Sequence, residues 1–322
     1  MKTSNLFRIT LLAACIALVF ACKKDNQSSS NNASNANVQT SADDQTMASN
    51  EDEAVSNDAT AALSANVSIA GSSMSPVVKS GSSVLGGDIG ICDATVSFDT
   101  TGDTKTVTIT YNGTNCWGNR TRTGTVTISI PKGVHWRDQG AVVTINVDLT
   151  ISRKRDGKSI VLKGTKTITN TTGGLLIDLA SLGNIAHDIS STFTITFDNG
   201  TQRSWNVSKH RVFTYDNGIV ITTTGTHNDG TNPDVAEWGT NRFGVAFESR
   251  ITAPKVIAQS CDFRLTSGEN TITRGDNITA VITYGLDSSG NPVTSCPSGD
   301  YYAKLVWTNS ATNKTYTYIF PY

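Results

Sequence analysis

Large apolar side chains, an excess of positive charge and every familiar catalytic signature are scarce or missing in this chain. No aromatic residue lies between Phe20 and Phe98. A stretch so poor in apolar bulk cannot offset the entropy of ordering itself, so Lys23 to about Gly87 is expected to be a disordered polar tether. The 26 basic residues do not outnumber the 27 acidic ones. Phosphate neutralisation dominates nucleic-acid affinity, so this charge balance argues against nucleic acid as a partner. The N-terminal uncharged run of 12 residues, Ile9 to Phe20, is too short to cross a bilayer core of roughly 30 Å. No CxxC pair is present, and His135, His187, His210 and His227 are dispersed, outside any HExxH arrangement. No GxSxG nucleophile elbow occurs either. Neither a cofactor nor a catalytic set is called for.

What the chain does have begins at its N-terminus. Lys2 and Arg8 precede the short apolar run, which ends in Ala21 directly before Cys22. Charge, apolar run and small residue in that order suit a secretory signal, expected to span residues 1–21. The whole stretch resembles the lipobox of bacterial lipoproteins, in which the cysteine carries the lipid and starts the mature chain. The resemblance implies a partner in the membrane itself, reached through acyl chains on Cys22. Each buried CH₂ is worth roughly 0.8 kcal/mol, and two or more chains make the anchor durable. Lys23 in place of Asp implies sorting to the outer membrane. The run Cys22-Lys23-Lys24-Asp25 is similar to that of Bacteroidetes lipoproteins displayed on the cell surface. Cell surface and periplasmic face are both open.

From Asp88 to Tyr322 the grammar is that of β-structure. Thr106 to Tyr111, Gly124 to Ile130 and Val143 to Ile151 alternate apolar and polar residues with period two. That pattern marks strands with one buried and one wet face. Asp156-Gly157, Asn199-Gly200 and Asn217-Gly218 fall where tight hairpin turns are needed. Phe193–Phe197 is expected to pair with Arg203–Val207, and Arg211–Tyr215 with Ile219–Thr223. Further strands are expected at 244–251, 277–284, 301–307 and 314–320, and one or two helical turns within Leu175–Ile185. The expected fold class is all-β, mainly antiparallel, with about 12 strands in sandwich- or barrel-like sheets. A single sheet system and two related β-units divided near residue 252 both fit.

Once Cys15 leaves with the signal and Cys22 takes lipid, Cys92, Cys116, Cys261 and Cys296 remain. An even number in an exported chain argues for two disulfides, with three connectivities open. A duplicated order favours one of them. Cys92-Asp93 leads to Tyr111, then Cys116, then a strand; Cys261-Asp262 leads to Tyr284, then Cys296, then a strand. Two copies of one pattern suggest Cys92–Cys116 and Cys261–Cys296.

The stretch Ile109-Thr110-Tyr111-Asn112-Gly113, then Cys116, then Gly118-Asn119-Arg120-Thr121-Arg122-Thr123-Gly124 through Ile128 resembles a group of β-rich Bacteroidetes lipoproteins. Members carry an I-T-I-D-F-G, Cys, G-R-x-R-x-G pattern and have no assigned activity. The chain departs from it at Tyr111-Asn112 and in the extra Asn119. The resemblance implies an anchored β-protein and transfers no active site.

Candidate chemistry is sparse. Arg120 and Arg122, two apart on one strand face, suit an anion or an acidic glycan through guanidinium forks; a solvated strand face is the plainer alternative. Trp117, Trp136, Trp205, Trp238 and Trp307 are candidates for a sugar-stacking surface, or else for packing. Asn228, Asp229, Asn232, Asp234 and Glu237 form an oxygen-rich stretch that suits Ca²⁺ chemically, though turn chemistry explains it as well. Tyr316, Tyr318, Phe320 and Tyr322 alternate to the last residue, as in a membrane-barrel strand, a core-closing strand or an edge open to β-augmentation. The expected function is a non-enzymatic binding or structural module at the cell surface, with glycan or protein as partner. The alternative is a surface hydrolase acting on polysaccharide or peptide.

Overall fold

The computed structural model describes residues 28–72 and 91–322; the signal region, Cys22 and residues 73–90 lie outside these. Two units are distinguished, Met1–Thr40 and Ser41–Tyr322, and the whole β-region belongs to the second.

The β-region is one antiparallel sheet of 14 strands. In chain order these are β1 (Ala94–Asp99), β2 (Thr104–Thr114), β3 (Arg120–Pro131), β4 (Ala141–Arg153), β5 (Ser159–Asn170), β6 (Asn184–Phe197) and β7 (Gln202–Tyr215). Then come β8 (Ile219–Gly225), β9 (Val235–Thr240), β10 (Ala246–Ala258), β11 (Arg264–Arg274), β12 (Ile278–Leu286), β13 (Tyr302–Asn309) and β14 (Lys314–Pro321). Each pairs with its sequence neighbour, except where β8 and β9 share the space between β7 and β10. There β8 pairs with Lys255–Ala258 of β10, and β9 with Ala246–Arg250. The two stretches expected as separate strands around Trp205 and Phe213 are one long strand, β7. The Asn217-Gly218 turn reverses the chain into β8 through positive φ at both residues. The position near 252 falls inside β10, and hydrogen bonding continues from β8 through β10 to β11, so one sheet accommodates both halves of the duplicated pattern. The Leu175–Ile185 stretch holds a 3₁₀ turn at Leu176–Asp178 and one α-turn at Leu179–Leu182.

The tether expectation needs correction over its described part. Ser28–Ser64 is a single helix, α1, followed by the short helix α2 (Val67–Ala70). From Ser41 onward α1 is enclosed rather than solvated: Asp44, Gln45, Ser49, Glu51, Asp52, Ser56 and Thr60 are all buried. The reason lies in the strands. The inward residues of β7 are Arg203, Trp205, Val207, Lys209, Arg211 and Phe213, all at 2% exposure or less. The cations there meet the helix acids. Lys209 Nζ reaches Glu53 Oε1 at 3.3 Å and Asp52 Oδ2 at 3.4 Å. Lys166 on β5 meets Asp52 at 2.5 Å, Arg120 on β3 meets Glu51 at 3.0 Å, and Arg153 on β4 meets Asp43 at 2.8 Å. On the other side Thr46 approaches Tyr284 of β12, and Ser49 accepts from Lys255 of β10. One helix that meets strands from β2 to β12 must have the sheet curled round it. Among the described residues no ladder joins β1 to β14, so the sheet is curled but not closed.

Apolar rows fill what the ions do not. Val143, Ile145, Val147, Leu149 and Ile151 of β4 are buried on one face, while Thr144, Asn146, Asp148 and Thr150 are exposed on the other. Outward faces of this polarity do not suit lipid contact. The last strand, β14, is an edge strand paired only with β13 and buries Phe320 alone, and beyond it the Tyr322 hydroxyl donates to Leu265 O at 2.8 Å and accepts from Gly285 N at 3.0 Å. No described helix is long and apolar enough to cross a membrane.

Candidate functional site

The helix has one face that the sheet does not cover. Asn50, Ala54, Asn57, Asp58 and Ala61 are only half-buried, and their three- and four-residue spacing puts them in one stripe. Along this stripe runs a slot with two chambers. The larger has a volume of about 380 Å³ and the smaller about 90 Å³. They meet at Ala54, Asn57, Trp117, Arg120 and Phe263. The β2–β3 connection forms one wall, and the β10–β11 connection with Tyr301 and Tyr322 forms the other.

Both walls are pinned by disulfides. Cys92 pairs with Cys116 and Cys261 with Cys296, each with Cα atoms 5.2 Å apart, as the duplicated order suggested. Cys92 and Cys116 line the larger chamber directly, and Asp262 and Phe263 follow Cys261 into it. Asp262 and Phe263 both take positive φ, 58° and 54°, which turns the chain sharply there.

Three of the candidate binding residues gather here. Trp117 is 41% exposed at the mouth, and the Arg120 guanidinium lies 5.6 Å from its ring centre. Arg120 and Arg122 do share a strand face, but it is the inward one. The Arg122 fork is filled: Nε and Nη2 each donate to Asp93 at 2.7 Å, Nη1 donates to Asp58 at 2.8 Å, and the group stacks 4.3 Å from the Tyr111 ring centre. Burial alone would lower the Arg122 guanidinium, but Asp58 and Asp93 hold it firmly charged. The expected anion fork at Arg122 is therefore occupied by the protein's own carboxylates. Beside it, burial pushes the Glu51 carboxyl up, against the pull of Arg120 and Arg122.

The other tryptophans are elsewhere. Trp136 is buried against His187, with ring centres 4.9 Å apart. Trp205 points inward from β7 against Phe193. Trp238 stacks on His227 at 4.1 Å, and Trp307 on Tyr316 at 5.2 Å. They pack singly in different parts of the sheet, so no common stacking surface of tryptophans exists. His187 is enclosed by Trp136 and Phe213, and burial drops its pKa to about 3.

The calcium candidates also separate. The Asp229 carboxylate accepts the backbone N–H groups of Thr231 and Asn232 at 2.7 and 2.6 Å, which is turn chemistry. Asp234 is exposed, with φ at 62°. Glu237 points the opposite way, into the helix side of the sheet, where it meets Lys209 at 2.8 Å. Asp229 and Asp234 belong to the loop before β9, whereas Glu237 lies within the buried start of that strand. No group of three metal-binding side chains occurs among the described residues.

Sequence reasoning missed the opposite wall: Phe263, Arg264, Tyr301 and Tyr322. Only the second copy of the cysteine pattern pointed to it. It also missed the helix stripe, because a polar segment carries no amphipathic signal of its own. No family model, no curated protein and no solved structure gives a significant match to the chain.

Proposed function

We propose that the protein is a lipid-anchored lipoprotein of the outer membrane or cell surface, and that its curled sheet is a non-catalytic binding module. The slot between the two disulfide-tied walls is the ligand seat. The order Lys2, Arg8, apolar run, Ala21, Cys22 supports the anchor, together with the resemblance of residues 109–128 to Bacteroidetes lipoproteins. The observation that carries the binding reading is the slot itself, a concave site of the size small-molecule pockets have. Trp117, exposed at the mouth, and the half-buried Phe263 wall it.

Two of the three carboxylates lining the slot are engaged, which leaves Asp262 without the second free carboxylate that glycoside hydrolysis uses. A general base needs a carboxylate free to take a proton. Asp58 in the slot already accepts from Arg122 and Tyr111. Glu53 is held by Lys209 and Arg211.

Two measurements test the reading. Cys22→Ala should move the protein from the membrane to the soluble fraction; retention in the membrane would sink the anchor. Native mass spectrometry of the wild-type protein, released from its own membranes, should show a bound small molecule that Trp117→Ala loses. An unchanged bare mass in both would remove the binding module.

A further inference from the structure

The two chambers of the slot differ in what they offer a ligand, and the difference specifies its chemistry. In the larger chamber Ile91, Leu176, Phe213, Ile219, Ile221 and Phe263 supply the apolar wall. Polar groups line it too, and apart from the exposed carboxylate of Asp262 the protein uses those named next internally. Asn57 Oδ1 accepts from Arg211 at 2.6 Å. Asp58 and Arg122 are bound to each other. Asn115 Oδ1 accepts the N–H groups of Asn119 and Arg120 at 3.1 and 3.2 Å. Gln259 Oε1 accepts from Ile219 N at 2.8 Å. A sugar would need such groups free. What remains available is mainly the apolar surface of the half-buried Ala54, Ala61, Leu176 and Phe263, with Phe213, Ile219 and Ile221 packed behind it at 1% exposure or less; each Å² that a ligand covers is worth roughly 25 cal/mol.

The smaller chamber offers the reverse. Tyr301 lines it at 1% exposure, and its hydroxyl has no hydrogen-bond partner among the described residues. Arg264 lies beside it, 4.4 Å from the Tyr301 ring centre. Its Nη1 and Nη2 donate to the carbonyls of Gly299 and Pro297, at 2.8 and 3.0 Å. Its Nε is buried without a partner, and no carboxylate is within ion-pair distance among the described residues. Buried polar groups are almost always hydrogen-bonded, so orphaned ones need an explanation. Both residues line the smaller chamber, which brings two unpartnered donors and the charge of the half-buried Arg264, with no carboxylate in ion-pair contact, to one small space. The missing partner is an anionic acceptor.

Resting on the binding-module reading, we infer that the slot takes a single-chain anionic amphiphile, its aliphatic tail in the larger chamber and its carboxylate or phosphate head at Arg264 and Tyr301. From Asn50 beside the head to Ala61 beside the tail, the helix runs about 16 Å, the reach of a medium-length acyl chain. The tail contacts small helix side chains, Ala54 and Ala61, on one side and the ring of Phe263 on the other. A free fatty acid and a lysophospholipid both carry this chemistry.

The test uses the full chain with Cys22→Ser, which removes the acyl attachment point, in detergent-free buffer. Dodecanoate, dodecyl phosphate, dodecanol and a galacturonate trimer are titrated by calorimetry. Dodecanoate, dodecyl phosphate or both should bind saturably, one per chain, and at least tenfold more tightly than dodecanol. The tighter of the two distinguishes the carboxylate from the phosphate source. Tyr301→Phe should weaken that binding about tenfold without lowering the thermal midpoint, because it deletes a hydroxyl that the unliganded protein leaves unpartnered. Ala61→Leu should shift the preferred chain from dodecanoate to octanoate. Equal affinity for dodecanol, an unaffected Tyr301→Phe variant, or no saturable binding by a folded chain would overturn the inference. Binding of the galacturonate trimer instead would overturn it too, while leaving a binding module in place.

Discussion

Lys166 Nζ lies 2.5 Å from Asp52 Oδ1, with both side chains fully removed from solvent. The ammonium also donates to the Ser56 hydroxyl and the Asp52 carbonyl, at 2.5 and 3.0 Å. Burial lowers the Lys166 pKa even so. This pair ties the helix to the middle of the sheet. A buried pair is weak evidence for net stability, but removing one partner strands the other at a cost of about 3–5 kcal/mol.

Lys166→Met should therefore destabilise the protein by about that amount, with Asp52 left facing only Lys209. The double variant Lys166→Met with Asp52→Leu should recover most of the loss, since neither charge is stranded. Denaturant unfolding of the four proteins closes the cycle. Additive losses would show that the two side chains do not act as a unit.

Acid should loosen the same core, with a sign that depends on which carboxylate titrates. Burial pushes Glu53 up, but Arg211 and Lys209 outweigh it and hold its pKa down to about 2. Its folded pKa is below the unfolded value, so its contribution is complete above about pH 5 and is lost as pH falls toward 2. Asp44 and Glu51 run the other way. Burial raises both, so their protonation offsets part of the loss. Glu53→Gln should thus be less stable at pH 7 and show a shallower fall between about pH 5 and pH 2. An acid limb as steep as that of the wild type would remove Glu53 from the account.

Legibility in the sequence depended on whether a residue's partner was local. The strands around Val107, Val126 and Ile145 declare themselves, because alternation is a property of the strand itself. The disulfide pairing followed from the repeated order about Cys92 and Cys261. The helix was not legible. Asp52 and Glu53 sit in a segment whose composition reads as solvated, and their partners Lys166, Lys209 and Arg211 come more than a hundred residues later. One trace existed in the sequence. Arg203, Lys209 and Arg211 are in phase with Trp205, Val207 and Phe213, so a strand with a buried apolar face had to bury those cations with it. Burying charge requires a partner of opposite sign, and the acids of residues 43–58 precede the sheet in the chain. The tryptophans misled for the same reason the helix hid: residue type suggested a shared surface, and only the sheet's curvature decided which of them met.

The slot was half legible. Trp117, Arg120 and Arg122 lie in one short stretch, and all three reach it. The opposite wall comes from Phe263, Arg264 and Tyr301, brought round by the curl of the sheet. Trp117 should be separable from stability, since 41% of it is exposed. Trp117→Ala should shift the thermal midpoint by no more than about 2–4 °C, the effect of roughly 1 kcal/mol in a chain of this size. A much larger drop would mean that Trp117 holds the wall itself.

The two disulfides close loops of 24 and 35 residues, and loop size alone barely distinguishes them. Chain entropy assigns each about 3–4 kcal/mol, with a difference of only about 0.3 kcal/mol in favour of the longer loop. The folded structure is less even-handed. Asp93, next to Cys92, grips Arg122 through two hydrogen bonds, and Arg122 in turn holds Asp58 of the helix. Beside the second pair, Pro297 O accepts from Arg264 at 3.0 Å, but Cys296 lies in an exposed loop, Asp262 is exposed, and neither Asp262 nor Pro297 holds the helix through an ion pair as Asp93 does through Arg122 among the described residues. Cys92→Ser with Cys116→Ser should therefore cost at least 1 kcal/mol more than Cys261→Ser with Cys296→Ser, the reverse of the order that loop length predicts. Urea unfolding of both double variants under oxidising conditions measures the difference. Equal losses, or a greater loss from the second pair, would mean that the bonds act only on the unfolded chain and that Asp93 holds Arg122 without help from its neighbouring cysteine.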